Sequence, residues 1–146
     1  MDIYSDEYFM KEALKEAIKA FDKDEVPIGA VIVHNQTIIA RAHNLTESLN
    51  DATAHAEMQA FTAATNYLGG KYLHSCVLYV TVEPCVMCAG ASYWSQISRI
   101  VYGASDEKKG YKNISSTIIH PKTEVISGVL ANECSKVLVD FFKKKR

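Results

Sequence analysis

The sequence predicts an α/β fold, a three-layer α/β/α sandwich with a central mixed five-stranded sheet, on three observations. Segments rich in β-branched residues alternate with segments of helical periodicity, so strands and helices come in turn and not in blocks. The first two apolar runs, in "VPIGAVIVHNQTIIARAHN", surround His34, Asn35 and Gln36 and read as a hairpin, which makes the sheet mixed. A chain of 146 residues with 48% hydrophobic and 23% charged side chains is sized for one domain, residues 1–146, with a substantial core.

Ser5 is placed to cap a helix over residues 6–21, where Met10, Ala13, Leu14, Ala17, Ile18 and Phe21 recur at helical spacing and read as core. After the hairpin, residues 44–53 are polar and read as a surface loop. "TAHAEMQAFTAATNYLGG" is rich in helix formers and stops at Gly69-Gly70, predicting a helix that begins near His55. "SCVLYVTVE" has a buried-strand pattern, "PCVMCAGASYWSQ" reads as a helix opened by Pro84, and "SRIVYGAS" reads as the next strand. Residues 105–123 form a long loop, of a length often reserved for function. A short strand at 124–127 and a helix at 131–142 precede the terminal "KKKR". The two central helices each begin after a strand or loop end on the same side, so their N-termini can point into one site.

No stretch approaches a membrane span, and the start "MDIYSDEYFM" is acidic where a signal peptide would be basic and then apolar. The expected compartment is the cytoplasm, where thiols stay reduced, and no membrane partner is expected. The net charge of −1 is unevenly spread: residues 1–103 hold 7 Lys/Arg against 12 Asp/Glu, and residues 104–146 hold 9 against 5. The basic end reads either as a surface for an anionic partner or as a solvated tail.

"TVEPCVMCAG" sets Cys85 and Cys88 three apart behind Pro84, away from Cys76 and Cys134. A disulfide, half of a metal site and two small core residues compete as explanations. Reducing conditions and the awkward geometry of two cysteines on one helical turn argue against the disulfide. In the first turn of a helix both sulfurs share one side, and the helix N-terminus favours thiolate. Two thiolates supply half of a tetrahedral zinc site, and a catalytic site adds a third protein ligand while keeping the fourth position for water. His55 suits that third place because it opens a helix whose N-terminus can face the same point. His34 lies in a turn, His43 at a strand end, His74 before a strand and His120 in the long loop. Glu57 follows His55 by two positions, which on a regular helix point nearly opposite ways, so the pair works only if His55 lies in an irregular first turn. Taken alone Glu57 reads as a solvated surface glutamate; in "HAE" with a downstream "PCVMC" it reads as a carboxylate that carries protons between water and substrate without ligating the metal. Cys76 and Cys134 sit on apolar stripes and are expected to be buried and unbridged.

The combination of His-x-Glu with a later Pro-Cys-x-x-Cys is the signature of zinc-dependent nucleobase deaminases. Over nearly its full length the chain resembles the tRNA-specific adenosine deaminase family of the cytidine deaminase-like fold, in "EVPIGAVIV", "HN", "TAHAE", "LYVTVEPCVMCAGA", "RIVYGASD", "GVLANEC" and "DFF". The resemblance implies one Zn2+ per chain held by His55, Cys85 and Cys88, with Glu57 as proton shuttle. It implies attack of hydroxide on the amine-bearing ring carbon of adenine, protonation of the neighbouring ring nitrogen by Glu57, and loss of ammonia to give inosine. Asn44 matches the family asparagine that hydrogen-bonds the purine, Ala56 and Ile28 fall at pocket-lining positions, and Asp106 matches an aspartate near the sugar of the target nucleotide. The implied partner is a tRNA anticodon loop, and the implied assembly is a homodimer to which "GASYWSQI" contributes aromatic and apolar residues. Lys108, Lys109, Lys112 and residues 143–146 are the cations available to hold phosphates.

Two stretches differ from the usual pattern. Ser92-Tyr93-Trp94 stands where bacterial members usually have "MIH", and the aromatic pair is similar to guanine deaminases of the same fold; "YKNISSTIIHPKT" is also shorter than the family's histidine-rich stretch. The alternative is therefore a deaminase of a free base or nucleoside, guanine first and cytosine next. Trp94 would then wall the base pocket; otherwise Tyr93 and Trp94 are helix packing residues. A zinc module that only staples the fold is a third reading. Glu57 argues against it, because a structural site has four protein ligands and no use for a carboxylate beside an open position.

Overall fold

The computed structural model describes residues 4–145. Helix α1 (Asp6–Asp22), strands β1 (Gly29–His34) and β2 (Thr37–His43), helix α2 (Ala56–Leu68), strand β3 (Cys76–Val82), helix α3 (Val86–Ser95), strands β4 (Arg99–Ala104) and β5 (Glu124–Ile126), and helix α4 (Ala131–Lys144) follow in that order. Two short 3-10 turns, Tyr111–Asn113 and Ser116–Ile118, give the long loop between β4 and β5 its local order. The sheet runs β2-β1-β3-β4-β5. Its β1 strand pairs antiparallel with both β2 and β3, while β3, β4 and β5 are parallel, so the sheet is mixed as the hairpin requires.

Strand side chains alternate between two cores. Ala30, Ile32, Leu78, Val80, Ile100 and Tyr102 face α2 and α3, whereas Val31, Val33, Tyr79 and Val101 face α1 and α4. The hairpin closes through Asn35 and Gln36, both left-handed (φ 50° and 62°), which matches the twist of the flanking strands. Among the described residues no helix is long and apolar enough to cross a membrane.

Helix α1 starts where Ser5 accepts the Tyr8 amide through its hydroxyl at 3.0 Å. Its buried face differs from the predicted stripe. Gly29 brings β1 so close that a Cβ there would collide with the α1 backbone at Ala13 and Ala17. The face that meets the sheet is therefore Phe9, Met10, Ala13, Glu16, Ala17 and Ala20, and Ile18 points away, 49% exposed. The buried glutamates find partners on β2: Glu12 accepts from Arg41 at 3.0 Å, and Glu16 meets His43 at 3.4 Å.

Asp6 joins the start of α1 to the sheet. Both of its oxygens accept from the Arg99 guanidinium at 2.8 Å, and Tyr79 donates to it at 2.8 Å. The hydrogen bond from Arg99 outweighs burial and holds the Asp6 carboxyl below the usual carboxylate range. A depressed folded-state pKa contributes stability above the unfolded value, and that contribution is lost as pH falls through the lower folded value. Asp6→Asn should therefore cost about 1 kcal/mol at pH 7, or roughly 2–4 °C in Tm. Thermal melts of the two proteins should converge as pH drops below the ordinary aspartate range.

Candidate active site

His55 and Cys85 occupy equivalent places, the N-caps of α2 and α3, in extended backbone (φ −70°, ψ 155° and φ −72°, ψ 175°). The His55 side chain does not bond back to α2, as an N-cap side chain ordinarily does, so its ring is free to turn towards the two cysteines at the start of α3. The extended backbone at His55 is the irregular turn that the spacing of "HAE" demands. Local bonds hold it: the His55 amide donates to Thr53 O at 2.8 Å, and Gln59 Nε2 on α2 donates to the carbonyls of His43 (2.9 Å) and Ala54 (3.1 Å). Gln59 thus ties the end of β2 and the segment entering α2 to the same helix.

The His55 Nδ1 lies 3.6 Å from Cys85 Sγ and 3.6 Å from Cys88 Sγ. The three ligand atoms lie within 4.8 Å of one another, and among the described residues no other group of histidine, cysteine and acidic side chains does so. A tetrahedral ion with ordinary zinc–nitrogen and zinc–sulfur bonds separates those atoms by about 3.6 Å, so the cluster fits a metal ion as it stands. All four cysteines are free; Cys76 and Cys134 are buried, as expected.

The three side chains of the cluster shift one another's protonation. The Cys88 thiol, with help from His55, hydrogen-bonds Cys85 and draws its pKa down to about 4, while Cys88 itself is pushed far up by its bond to Cys85 and by burial. His55 is raised, chiefly by its hydrogen bond to Cys85. The two thiols are thus shifted in opposite directions, and a cation bound among the three atoms would favour the thiolate form of both. Glu57 is only 4% exposed, lies in the first turn of α2, and burial pushes its pKa up to about 7. Its carboxyl is within hydrogen-bond reach of Cys88 yet stands outside the three-ligand group.

The other predicted residues surround this cluster from two sides. Ala56 is fully buried at the first position of α2. Asn44 is 5% exposed at the end of β2, its amide donates to Ile28 O at 3.1 Å, and its side chain donates to Thr46 Oγ1 at 3.3 Å. Asp106 lies on the Cys85 side, where Oδ1 accepts the amides of Lys108 and Lys109 at 3.1 and 2.9 Å. Gly110 bridges to Cys85, and the Tyr111 amide donates to Pro84 O at 2.9 Å, so the basic loop lies beside the site.

The remaining cations separate. Lys112 Nζ stands over the Tyr102 ring, 5.6 Å from its centroid. The C-terminal lysines pack elsewhere: Lys144 and Lys145 both pair with Asp24 and lie over the Phe141 ring. Lys145 also lines a cleft of about 470 Å³ with Lys23, Asp24, Glu47 and Ser48. Arg146 lies outside the described residues. Trp94 is 78% exposed, which leaves it no pocket to wall within this chain, and Tyr93 packs on His120 with ring centroids 5.0 Å apart.

Sequence reasoning missed two buried carboxylates near the site. Glu25, fully buried, accepts the Glu47 and Ser48 amides at 3.0 and 2.6 Å and anchors the loop that leads to His55. Burial works against its ionised form, but the bonds from Ser48 and Glu47 win and leave its pKa lowered. Glu83 is 6% exposed and binds residues 106 and 112. The available signal was a charged residue ending the apolar run "VLYVTVE".

Comparison with known proteins agrees with this geometry. Residues 4–146 match the MafB19-like deaminase family. The tRNA-specific adenosine deaminase of Bacillus subtilis strain 168 is 48% identical over 146 residues, 97% of this chain and 91% of its own. A solved structure from work on A-to-I editing by tRNA:A34 deaminases at the wobble position of transfer RNA aligns with a TM-score of 0.84 at 43% identity, over 90% of this chain and 99% of that one. A guanine deaminase structure from Bacillus subtilis is less similar, with a TM-score of 0.67 and 36% identity over 79% of this chain and 77% of its own. With a family match from residue 4 to residue 146, and relatives of 42–48% identity over nearly the full chain, the protein belongs to the MafB19-like deaminases and, among deaminases, to the tRNA-specific adenosine deaminase family.

Proposed function

We propose that this chain, acting as a single domain over residues 1–146, is a zinc-dependent hydrolytic deaminase that converts the wobble adenosine of a tRNA anticodon loop to inosine. The observation that carries the reading is the convergence of His55 Nδ1 and the sulfurs of Cys85 and Cys88 at 3.6 Å, with the buried Glu57 beside them and outside the ligand set. His55, Cys85 and Cys88 would hold zinc, which when bound brings the pKa of water towards neutrality. Glu57 takes the proton of the attacking water and delivers it to the ring nitrogen next to the amine-bearing carbon. A second proton leaves with the amine as ammonia, so water and adenosine balance to inosine and ammonia. Asn44 orients the purine, the Ile28 and Ala56 backbone walls it, and Asp106 stands at the sugar.

Adenosine in RNA is favoured over a free base because the relatives of 42–48% identity are tRNA-specific, whereas the guanine deaminase stands at 36% over less of the chain. With tRNA as substrate, the cytoplasm is the proposed compartment. The exposed Tyr93 and Trp94 on α3 supply an aromatic face that a homodimer would bury. Incubating the purified protein with an anticodon stem-loop carrying A at the wobble position, alongside free guanine and cytosine, tests the reading. Inosine should form in the RNA while both free bases persist; xanthine from guanine with the RNA unchanged would establish the alternative.

RNA binding should also weaken with salt, because each phosphate held by a cation releases counterions, with a slope of about −0.7 per contact on single strands. Lys108→Ala with Lys109→Ala should flatten that slope and raise KM for the stem-loop with kcat nearly unchanged. Lys112 is left out of the pair because its ammonium is held over Tyr102. A slope unaffected by the double substitution would remove these lysines from the interface.

A further inference from the structure

The chemistry proposed above makes no use of Glu83, a carboxylate buried two residues before a metal-ligand candidate. It is 6% exposed, and among the described residues no lysine, arginine or histidine forms an ion pair with it. Its two oxygens are satisfied by backbone from one loop: Oε1 accepts the Asp106 amide at 3.1 Å and Oε2 accepts the Lys112 amide at 3.2 Å. Gly110 closes on the carboxylate so tightly that a Cβ there would collide with both Glu83 Oε2 and Asp106 O. Residues 106 and 112 are thereby stapled to one side chain, and the loop between them is pressed onto Pro84 and Cys85 through the Tyr111 amide and the Cys85–Gly110 bridge.

A polar group so buried is costly unless hydrogen bonds compensate it, and two donating backbone amides are both satisfied only by a group with two acceptors. A glutamine would satisfy one amide and turn its NH2 towards the other. Apolar packing would hold a loop here without burying a polar group. What the carboxylate adds is a defined position for Asp106 and the Lys108–Lys109 pair relative to Cys85.

We propose that Glu83 is a positioning residue which, by bonding the Asp106 and Lys112 amides, fixes loop 105–112 as the substrate-side rim of the metal cluster. It acts on RNA binding through that loop, without touching substrate or metal. The proposal rests on the deaminase reading for its kinetic half only.

Two substitutions disturb the staple from opposite sides: Glu83→Gln removes one acceptor, and Gly110→Ala pushes the loop off an intact carboxylate. In zinc-loaded protein, each should speed amide hydrogen exchange of residues 105–112 by about tenfold or more, because the loop opens more often. Each should raise KM for the adenosine stem-loop by about tenfold, with kcat within about twofold and one zinc per chain retained. The double variant should be little worse than either single one, since both break the same contact. Unchanged exchange, an unchanged KM, additive effects or loss of zinc overturns the proposal. If Glu83→Gln fails to fold, the exchange, KM and zinc content of Gly110→Ala carry the test. Hydrogen exchange needs no substrate, so a wild-type protein inactive on RNA would sink the functional reading while the loop measurement still decides the role of Glu83 in the fold.

Discussion

Replacing Glu57 with alanine should lower kcat by at least about 10²–10³-fold while zinc stays bound at one ion per chain, because in the proposed function the lost group moves protons and does not hold the metal. The geometry behind this is specific: the Glu57 carboxyl reaches Cys88, but among the described residues only His55, Cys85 and Cys88 bring their ligand atoms within 4.8 Å of one another. The fold should not suffer. Burial raises the folded-state pKa of Glu57 to about 7, above the ordinary glutamate value. For an acid shifted upwards, the stability contribution is present below the unfolded pKa and is lost as pH rises through the folded one. Above pH 7 the metal-free Glu57→Ala protein should therefore be at least as stable as its parent in a thermal melt. Zinc lost together with activity would make Glu57 a ligand and end its role as shuttle.

Cys88→Ala should behave oppositely and lose metal, activity and stability together. Cys88 is 1% exposed and lies 3.6 Å from His55 Nδ1, so its removal takes away a ligand and leaves a void in the first turn of α3. In buffer with zinc a thousandfold above its Kd, the lost linkage alone is about 4 kcal/mol. Elemental analysis should find far less than one zinc per chain, and the Tm advantage of zinc-loaded over metal-free protein should vanish. Cys134→Ala serves as control: that thiol is also buried, but it lies in the α1–α4 core, so its loss should leave zinc in place. Equal zinc loss in both variants would mean that metal content merely follows fold stability.

The residues that made these outcomes predictable differ in how openly the sequence displays them. Element ends were legible because each is marked by local chemistry: Ser5 capping α1, the left-handed Asn35 and Gln36, Gly69 closing α2 and Pro84 before α3. The three residues of the cluster were legible for the same reason, since helix N-caps place His55 and Cys85 and a single turn places Cys88. The buried face of α1 was not, because Gly29, in another element, decides which positions meet the sheet and leaves Ile18 in solvent. Charge counting treated residues 104–146 as one basic region. The fold divides them, laying Lys108 and Lys109 beside Cys85 and pairing Lys144 and Lys145 with Asp24, about 120 residues earlier in the chain. Glu83 escaped notice because its partners are backbone amides 23 and 29 residues away, and backbone partners leave no residue-type signal.

The central claim is that one metal ion at His55, Cys85 and Cys88 makes this chain a deaminase of adenosine in tRNA, and a zinc titration tests it most directly. Metal-free protein would receive increasing zinc while inosine formation is followed in an anticodon stem-loop with adenosine at the wobble position. The account predicts a rise from near zero that breaks at one zinc per chain, with no such rise in Cys88→Ala and a low plateau in Glu57→Ala despite full loading. Activity independent of added zinc, or a fully zinc-loaded protein that leaves the RNA unchanged while consuming guanine, would contradict it.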